Sequence, residues 1–111
     1  MKNVYGLPLV LACLMGASSL SPAAASADTL GPFIDYLDSN GVDVSTIDAQ
    51  NADVELGKAI CGMYPPALRV GANPNDGVMA ALRPRHTEAE AAMWLVGSVN
   101  YVCPQYVYLL P

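Results

Sequence analysis

Charge, histidine and cysteine are all scarce in this chain. Only 14% of its 111 residues are Asp, Glu, Lys or Arg, whereas a soluble domain usually carries about a quarter. One histidine and three cysteines leave little material for catalysis or for a metal site, and the sequence contains neither a glycine-rich phosphate loop nor a Cys-x-x-Cys pair. We therefore expect a protein that is not an enzyme and that holds no metal or other cofactor.

The scarcity of charge is greatest in the first 27 residues, where Lys2 is the only charged side chain. Lys2 precedes a mostly apolar run over residues 4–15, and Ala25-Ser26-Ala27 is the small-residue pattern after which signal peptidases cut. The sequence therefore predicts a signal peptide over residues 1–27. Two alternatives stay open. The run could anchor the chain in a membrane, although it is shorter than the roughly 20 residues that a span needs, or Cys13 could carry a lipid.

Residues 28–111 form the predicted domain, a single helical unit that is acidic. It contains all ten acidic side chains and four basic ones, a formal charge of −6. Nucleic acid and anionic bilayers favour a basic partner surface, so neither is the expected partner. With the leader removed we expect no stable membrane span. The predicted location is extracellular or in the cell envelope, where acidity promotes solubility.

Two cysteines, Cys61 and Cys103, remain in this domain once Cys13 is assigned to the leader. In an exported chain an even pair is expected to oxidise. A bond between them would close a loop of about 43 residues, for which the chain-entropy model gives about 4 kcal/mol of stabilisation. The alternative, two free thiols in a redox or metal site, lacks the usual spacing and further ligands.

Helical patterns dominate the domain. Residues 32–40 predict a first helix that begins at Pro32 and stops at Asn40-Gly41, after which Val42 folds back on it. A second helix is predicted from about residue 45 to residue 61, where Gly57 marks the close approach of another helix. The predicted apolar stripe of this second helix consists of Ala49, Ala52, Leu56, Ala59, Ile60 and Met63.

The next segment, residues 64–85, is the least regular. Pro65 and Pro66 cannot continue a helix, and Asp76 is expected to cap a short helix that ends at Leu82. Thr87 and Glu90 form a capping box that opens the last helix. Its predicted buried stripe consists of Ala92, Leu95, Val96, Val99, Val102 and Cys103. Together the patterns predict an all-α fold, a small bundle of three to four helices with one disulfide.

Three motifs follow one another in this domain. They are Phe33-x-x-Tyr36-Leu37 followed by Gly41, then Gly57-Lys58-Ala59-Ile60-Cys61, and then a helix opened by Thr87 that ends in Asn100-Tyr101-Val102-Cys103-Pro104. In this order and spacing the chain resembles the small exported proteins of domain of unknown function family 732, which are typical of mycobacteria and their relatives. The resemblance covers about residues 28–104. It implies a secreted helical domain with a Cys61–Cys103 disulfide and no established activity. Tyr64-Pro65-Pro66 and the residues after Pro104 depart from the family pattern.

The C-terminal tail, residues 104–111, is uncharged and has a strand-like composition. Its apolar core consists of Tyr106, Val107, Tyr108, Leu109 and Leu110. One interpretation is that the tail folds back over the core or the disulfide. The other is that it forms a partner surface for a protein or an envelope component, since an exposed apolar patch on a soluble protein requires an explanation.

One local basic cluster, formed by Arg83, Arg85 and His86, precedes the last helix. Beside a helix N-terminus it is a candidate contact for an anion or another ligand, although a solvated loop is the simpler interpretation. The favoured function is an exported, non-enzymatic interaction or binding module. The alternative is a carrier of a small apolar ligand such as haem, with His86, Met63, Met79 or a tyrosine as the iron ligand.

Overall fold

The computed structural model describes residues 30–111, which form five α-helices and a C-terminal 3-10 helix. The α-helices are α1 (Gly31–Ser39), α2 (Ile47–Gly62), α3 (Tyr64–Arg69), α4 (Pro74–Leu82) and α5 (Glu88–Tyr101), and the 3-10 helix spans Pro104–Leu109. The predicted all-α class is confirmed, with more helices than the three or four expected. The predicted signal peptide, residues 1–27, lies outside the described residues.

Local signals place most helix ends where the sequence predicts them. Gly41 has a positive φ of 81° after α1, and the Val42 amide donates to the Leu37 carbonyl at 3.0 Å, so the predicted stop is confirmed. At the start of α5 the Thr87 hydroxyl accepts from the Glu90 amide at 3.1 Å. The Glu90 carboxylate accepts from the Thr87 amide at 2.9 Å, which completes the capping box.

Two features of residues 64–82 differ from the prediction. The two prolines do end α2, but they then start α3, because a proline in the first turn of a helix loses no hydrogen bond. The cap of α4 is Asn73, whose side chain accepts from the Asn75 amide at 3.0 Å, and not Asp76. Asp76 lies in the first turn of α4, where its negative charge interacts favourably with the helix dipole and stabilises the helix.

Helix α5 lies at the centre of the bundle and contacts α1, α2, α4 and the 3-10 helix. Its predicted stripe is confirmed in part: Leu95, Val99 and Cys103 are buried, whereas Val96 is only half-buried and Ala92 is exposed. Because almost the whole helix after its first turn is apolar, several phases fit the sequence equally well, and the neighbouring helices decide which one is buried. The buried residues are Ala91, Trp94, Leu95, Gly97, Ser98 and Val99.

The predicted stripe of α2 is also confirmed only in part: Ile60 is buried as expected, but Ala52 and Ala59 are exposed, and Gly57, which lies outside the predicted stripe, is buried. Gly57 confirms the expected close approach. A Cβ at this position would lie 2.9 Å from the Phe33 ring of α1 and 3.3 Å from Val102. Which face of α2 is buried therefore depends on the missing side chain of Gly57 as well as on hydrophobic residues.

A second glycine, Gly97 of α5, receives the other aromatic ring of α1. A Cβ there would overlap the ring of Tyr36, whose hydroxyl donates to the Met93 carbonyl at 2.8 Å. Phe33 in turn packs edge-on against Trp94 at 6.2 Å between ring centroids. Helix α1 is thus attached to the bundle by two aromatic side chains, each of which lies over a glycine.

Candidate functional site

Cys61 and Cys103 form a disulfide with their Cα atoms 6.0 Å apart. Cys61 lies in the last turn of α2, and Cys103 follows the end of α5, so the bond joins the C-terminal ends of these two helices as expected. Cys103 is buried and Cys61 half-buried. Both sulfur atoms lie 3.6–3.7 Å from the Ser98 carbonyl oxygen. The bridge is therefore part of the packed core.

Two of the three members of the basic cluster between α4 and α5, Arg83 and His86, lie against carboxylates of the same chain. The Arg83 guanidinium donates two hydrogen bonds to Glu88, at 3.0 and 3.3 Å, and these bonds lower the pKa of the Glu88 carboxyl. His86 Nδ1 lies 3.9 Å from the Glu90 carboxylate. Since Glu88 and Glu90 occupy the first turn of α5, the anion expected at this helix N-terminus is supplied from within the chain.

A shallow groove of about 460 Å³ lies beside this cluster. His86 is half-buried, and its ring centroid lies 6.4 Å from that of Trp94. Arg85 is exposed and has apolar neighbours along the groove. The lining residues are Leu56, Ala81, Leu82, Pro84, Arg85 and His86. The structure therefore brings Arg85 and His86 together, whereas Arg83 is engaged by Glu88.

The two methionines named as haem ligands are both half-buried against the core. Neither Met63 nor Met79 lines the groove that contains His86. Within residues 30–111 no group of three or more His, Cys, Asp and Glu side chains is placed to hold a metal ion.

The C-terminal tail is held against the core by three of its five apolar residues, Tyr106, Leu109 and Leu110. Tyr106 stacks on the buried Tyr64 of α3 at 4.8 Å between ring centroids. The Tyr64 hydroxyl donates to the Asn75 side chain at 2.6 Å, and the Asn75 amide group donates to the Leu109 carbonyl at 2.7 Å. The tail is thus a 3-10 helix that is tied to α3 and α4, and not a strand.

The other two apolar residues of the tail face solvent. Tyr108 is 71% exposed and Val107 is 47% exposed. Their neighbours on both sides are packed, so the two side chains are presented from an ordered segment. The structure therefore divides the predicted partner surface into an anchored part and an exposed pair.

A groove between α1 and α2 was not foreseen from the sequence. It has a volume of about 350 Å³, near the lower end of the roughly 300–1,000 Å³ typical of ligand sites. Its apolar side consists of Leu30, Ile34, Ile47 and Val54, and its polar rim includes Asp35, Glu55 and Lys58. Ile47 is 69% exposed. An isoleucine at the first position of α2, outside the predicted stripe, was the one signal that could have indicated it.

One carboxylate of α2, which does not line this groove, lies in an unfavourable environment. Asp53 of α2 is half-buried, and its Oδ2 atom is buried without a hydrogen-bond partner. Burial, and then the charge of Asp43, raise the pKa of the Asp53 carboxyl above its ordinary value. Asp43 itself accepts hydrogen bonds from the Ser45 amide and hydroxyl, which lower its pKa.

No helix among residues 30–111 combines the length and the apolar character that a membrane crossing requires. Comparison with curated proteins and with solved structures returns no significant match. One protein family does match, over residues 24–105, which is close to three quarters of the chain and includes the five α-helices described within residues 30–111. The expected resemblance is thereby confirmed, and the chain belongs to the family described as protein of unknown function DUF732.

Proposed function

We propose that this protein is an exported, non-enzymatic interaction module that binds a protein or another component of the cell envelope through its C-terminal surface. The observation that carries this proposal is the exposed pair Val107 and Tyr108 on the anchored 3-10 helix. Exposed apolar side chains on an ordered segment favour binding, because the entropy of ordering them has already been lost on folding. Tyrosine is also enriched among the residues that contribute most to protein interfaces.

Export is supported by the predicted leader and by the Cys61–Cys103 bridge, since disulfides persist mainly in oxidising compartments. We expect the protein recovered from the medium or envelope of its host to begin at Asp28, which mass spectrometry of the intact protein would measure. A mass that includes residues 1–27 would contradict cleavage.

The non-enzymatic assignment is supported by the surroundings of Ser45, Ser98 and His86, the side chains from which a serine–histidine catalytic arrangement would have to be built. The Ser45 hydroxyl donates to Asp43 at 2.6 Å within its own turn. Ser98 is fully buried beneath the disulfide. His86, the sole histidine of the sequence, faces Glu90 and Trp94. A serine nucleophile needs an accessible hydroxyl bonded to an effective base such as histidine. Ser45 is exposed but donates to a carboxylate whose pKa is lowered, and Ser98 is buried.

The proposed surface is tested by photo-crosslinking in the intact envelope. A photoreactive phenylalanine analogue at position 108 is expected to give a discrete adduct, which excess wild-type protein removes by competition. The same analogue at Ala92, an exposed position on the first half of α5, is the matched control. Excess Tyr108→Asp protein should compete poorly, because a carboxylate cannot be buried in an apolar contact. Equal adducts from both positions, or full competition by Tyr108→Asp, would contradict the proposal.

A second candidate function, carriage of haem, is supported by the placement of His86 in a largely apolar groove of about 460 Å³. Haem iron accepts a histidine ligand, and the adjacent Arg85 could pair with a propionate. Titration of the protein with haem should then shift the Soret band, and His86→Ala should abolish the shift. An unchanged spectrum, or a shift that persists in His86→Ala, would reject this candidate.

A further inference from the structure

The groove between α1 and α2 lies on a different part of the molecule from the C-terminal surface and differs from it in charge. Its apolar side is formed by Leu30, which is buried, Ile34 and Val54, which are half-buried, and Ile47, which is mostly exposed. Concave surfaces lined by exposed apolar side chains are typical binding sites for the apolar part of a partner molecule. The groove can therefore accept a small number of aliphatic side chains.

The segment that forms this groove is strongly acidic. Residues 30–62, which form α1 and α2, carry one basic side chain, Lys58, and six acidic ones. Lys58 lies 3.7 Å from Glu55, so its charge is partly offset on the rim itself. Two of the acidic side chains, Asp35 of α1 and Glu55 of α2, line the groove itself. The others in the segment are Asp38, Asp43, Asp48 and Asp53. A partner with positive charge on both sides of an apolar strip is complementary to this surface.

We infer that the α1–α2 groove binds a cationic amphipathic segment of a partner protein. The aliphatic side chains of the partner would pack against Ile34, Ile47 and Val54, and its Lys or Arg side chains would lie opposite Asp35 and Glu55 on the rim. An amphipathic helix laid into an apolar groove is a recurrent mode of peptide recognition. A free fatty acid or an anionic lipid would place its negative headgroup beside Asp35 and Glu55, and the one rim cation, Lys58, already lies 3.7 Å from Glu55. These charges disfavour such ligands. This site is separate from the C-terminal surface and does not depend on it.

The test measures binding of a designed peptide to protein expressed from the full 111-residue sequence. The peptide is a labelled Leu–Lys helix of about 18 residues, or five turns, with leucine confined to one face. We expect saturable binding by fluorescence anisotropy with a dissociation constant in the micromolar range. Raising the salt concentration from about 0.05 M to about 0.5 M should weaken it several-fold, because the complementary charges are exposed.

Two pairs of variants separate the groove from the rest of the surface. Ile47→Gln is expected to weaken binding about tenfold, the effect of losing one buried aliphatic side chain. Its control is Val70→Gln, because Val70 is 80% exposed but lies after α3 and outside the groove. Asp35→Asn should weaken binding about threefold, whereas Asp76→Asn, which removes an exposed acid from α4, should leave it unchanged.

Three results would overturn the inference. They are the absence of saturable binding, equal binding of a peptide in which every Lys is replaced by Glu, and equal loss in Ile47→Gln and Val70→Gln. Saturable binding of a fatty acid in competition with the peptide would identify a lipid site instead. Tyr108→Asp is expected to bind the peptide normally, so a failure of the C-terminal surface and a failure of this groove are distinguishable.

Discussion

Residues 30–62 and residues 63–111 contribute to one core, yet they differ in charge. The first segment has six acidic side chains and one basic, whereas the second has three of each. In the second segment the charges are matched locally, since Arg83 pairs with Glu88 and His86 lies near Glu90. In the first segment five of the six carboxylates are exposed and Asp53 is half-buried.

This difference indicates which properties serve the fold and which do not. The buried core is apolar in both segments apart from Ser98, so the surplus of carboxylates on α1 and α2 contributes nothing to packing. Like charges at this density repel and lower stability to some extent. The inferred binding of a cationic segment rests on this surplus of charge beside the exposed Ile47.

The largest effect is expected from the bond that joins the two segments. Replacement of both Cys61 and Cys103 by Ala should lower the free energy of unfolding by about 4 kcal/mol, the value for a loop of this length. Urea denaturation followed by circular dichroism measures it. Reduced wild-type protein is the control and should behave like the double variant. An unchanged midpoint in both would show that packing alone holds the two segments together.

A smaller effect is expected where α1 meets α5. Gly97→Ala places a methyl group 2.7 Å from Cδ2 of Tyr36, so the ring must move and its hydroxyl must leave the Met93 carbonyl. We expect a loss of about 2 kcal/mol, typical of overpacking, despite the better helix propensity of alanine.

Gly62→Ala is the matched control for this substitution, because a Cβ at Gly62 meets nothing within 4 Å. It should be neutral or slightly stabilising in the same thermal and urea denaturation measurements. If both substitutions stabilise the protein, propensity dominates and α1 is not positioned by the contact with Gly97.

The smallest effect concerns the charge of the acidic segment itself. The folded pKa of Asp53 is raised, so stability falls as the pH rises from the unfolded pKa through the folded one. Asp53→Asn removes this charge and should raise the melting temperature at pH 7 by about 2 °C.

At pH 3, where the carboxyl of Asp53 is largely protonated in the wild type, the difference between the two proteins should vanish. Asp48→Asn is the control, because Asp48 is exposed in the first turn of α2 and favours the helix dipole. That substitution should not stabilise. A gain for Asp53→Asn that persists at pH 3 would assign the effect to packing and not to charge.

The sequence was informative where the signal is local. The Thr87–Glu90 capping box, the Asn40-Gly41 stop and the close approach at Gly57 all depend on a few adjacent atoms or on a missing side chain. Each was predicted and is confirmed. The disulfide was equally accessible, because the predicted domain contains two cysteines and export favours their oxidation.

The sequence was uninformative where several arrangements satisfy the same pattern. Helix α5 is apolar almost all round after its first turn, so the choice between Ala91 and Ala92 as a buried residue depends on its neighbours. The tail has a strand-like composition but no partner strand among residues 30–111, and the stacking of Tyr106 on Tyr64 fixes it as a 3-10 helix. Neither the packing of α5 against its neighbours nor the stacking of Tyr106 on Tyr64 can be recognised from a short stretch of sequence.

For the candidate sites too, the sequence indicated the local clusters of residues, and only the folded structure showed which of them are paired, packed or exposed. Arg83, Arg85 and His86 were found as a cluster, but only the folded chain places Glu88 and Glu90 against it. Tyr106 to Leu110 were found as an apolar run, but only the 3-10 helix separates the exposed Val107 and Tyr108 from their packed neighbours. The α1–α2 groove was not predicted, because its lining residues come from two separate helices and meet only in the folded chain.

The sequence by itself determined the all-α class, the stop of α1, the capping box of α5, the disulfide pair and the surplus of acid, because each depends on composition or on contacts within a turn. Only the tertiary structure decided which side of α5 is buried, how α1 lies over Gly57 and Gly97, and which apolar residues remain exposed. These depend on packing between residues far apart in the chain, for which close fit and not local propensity selects the arrangement.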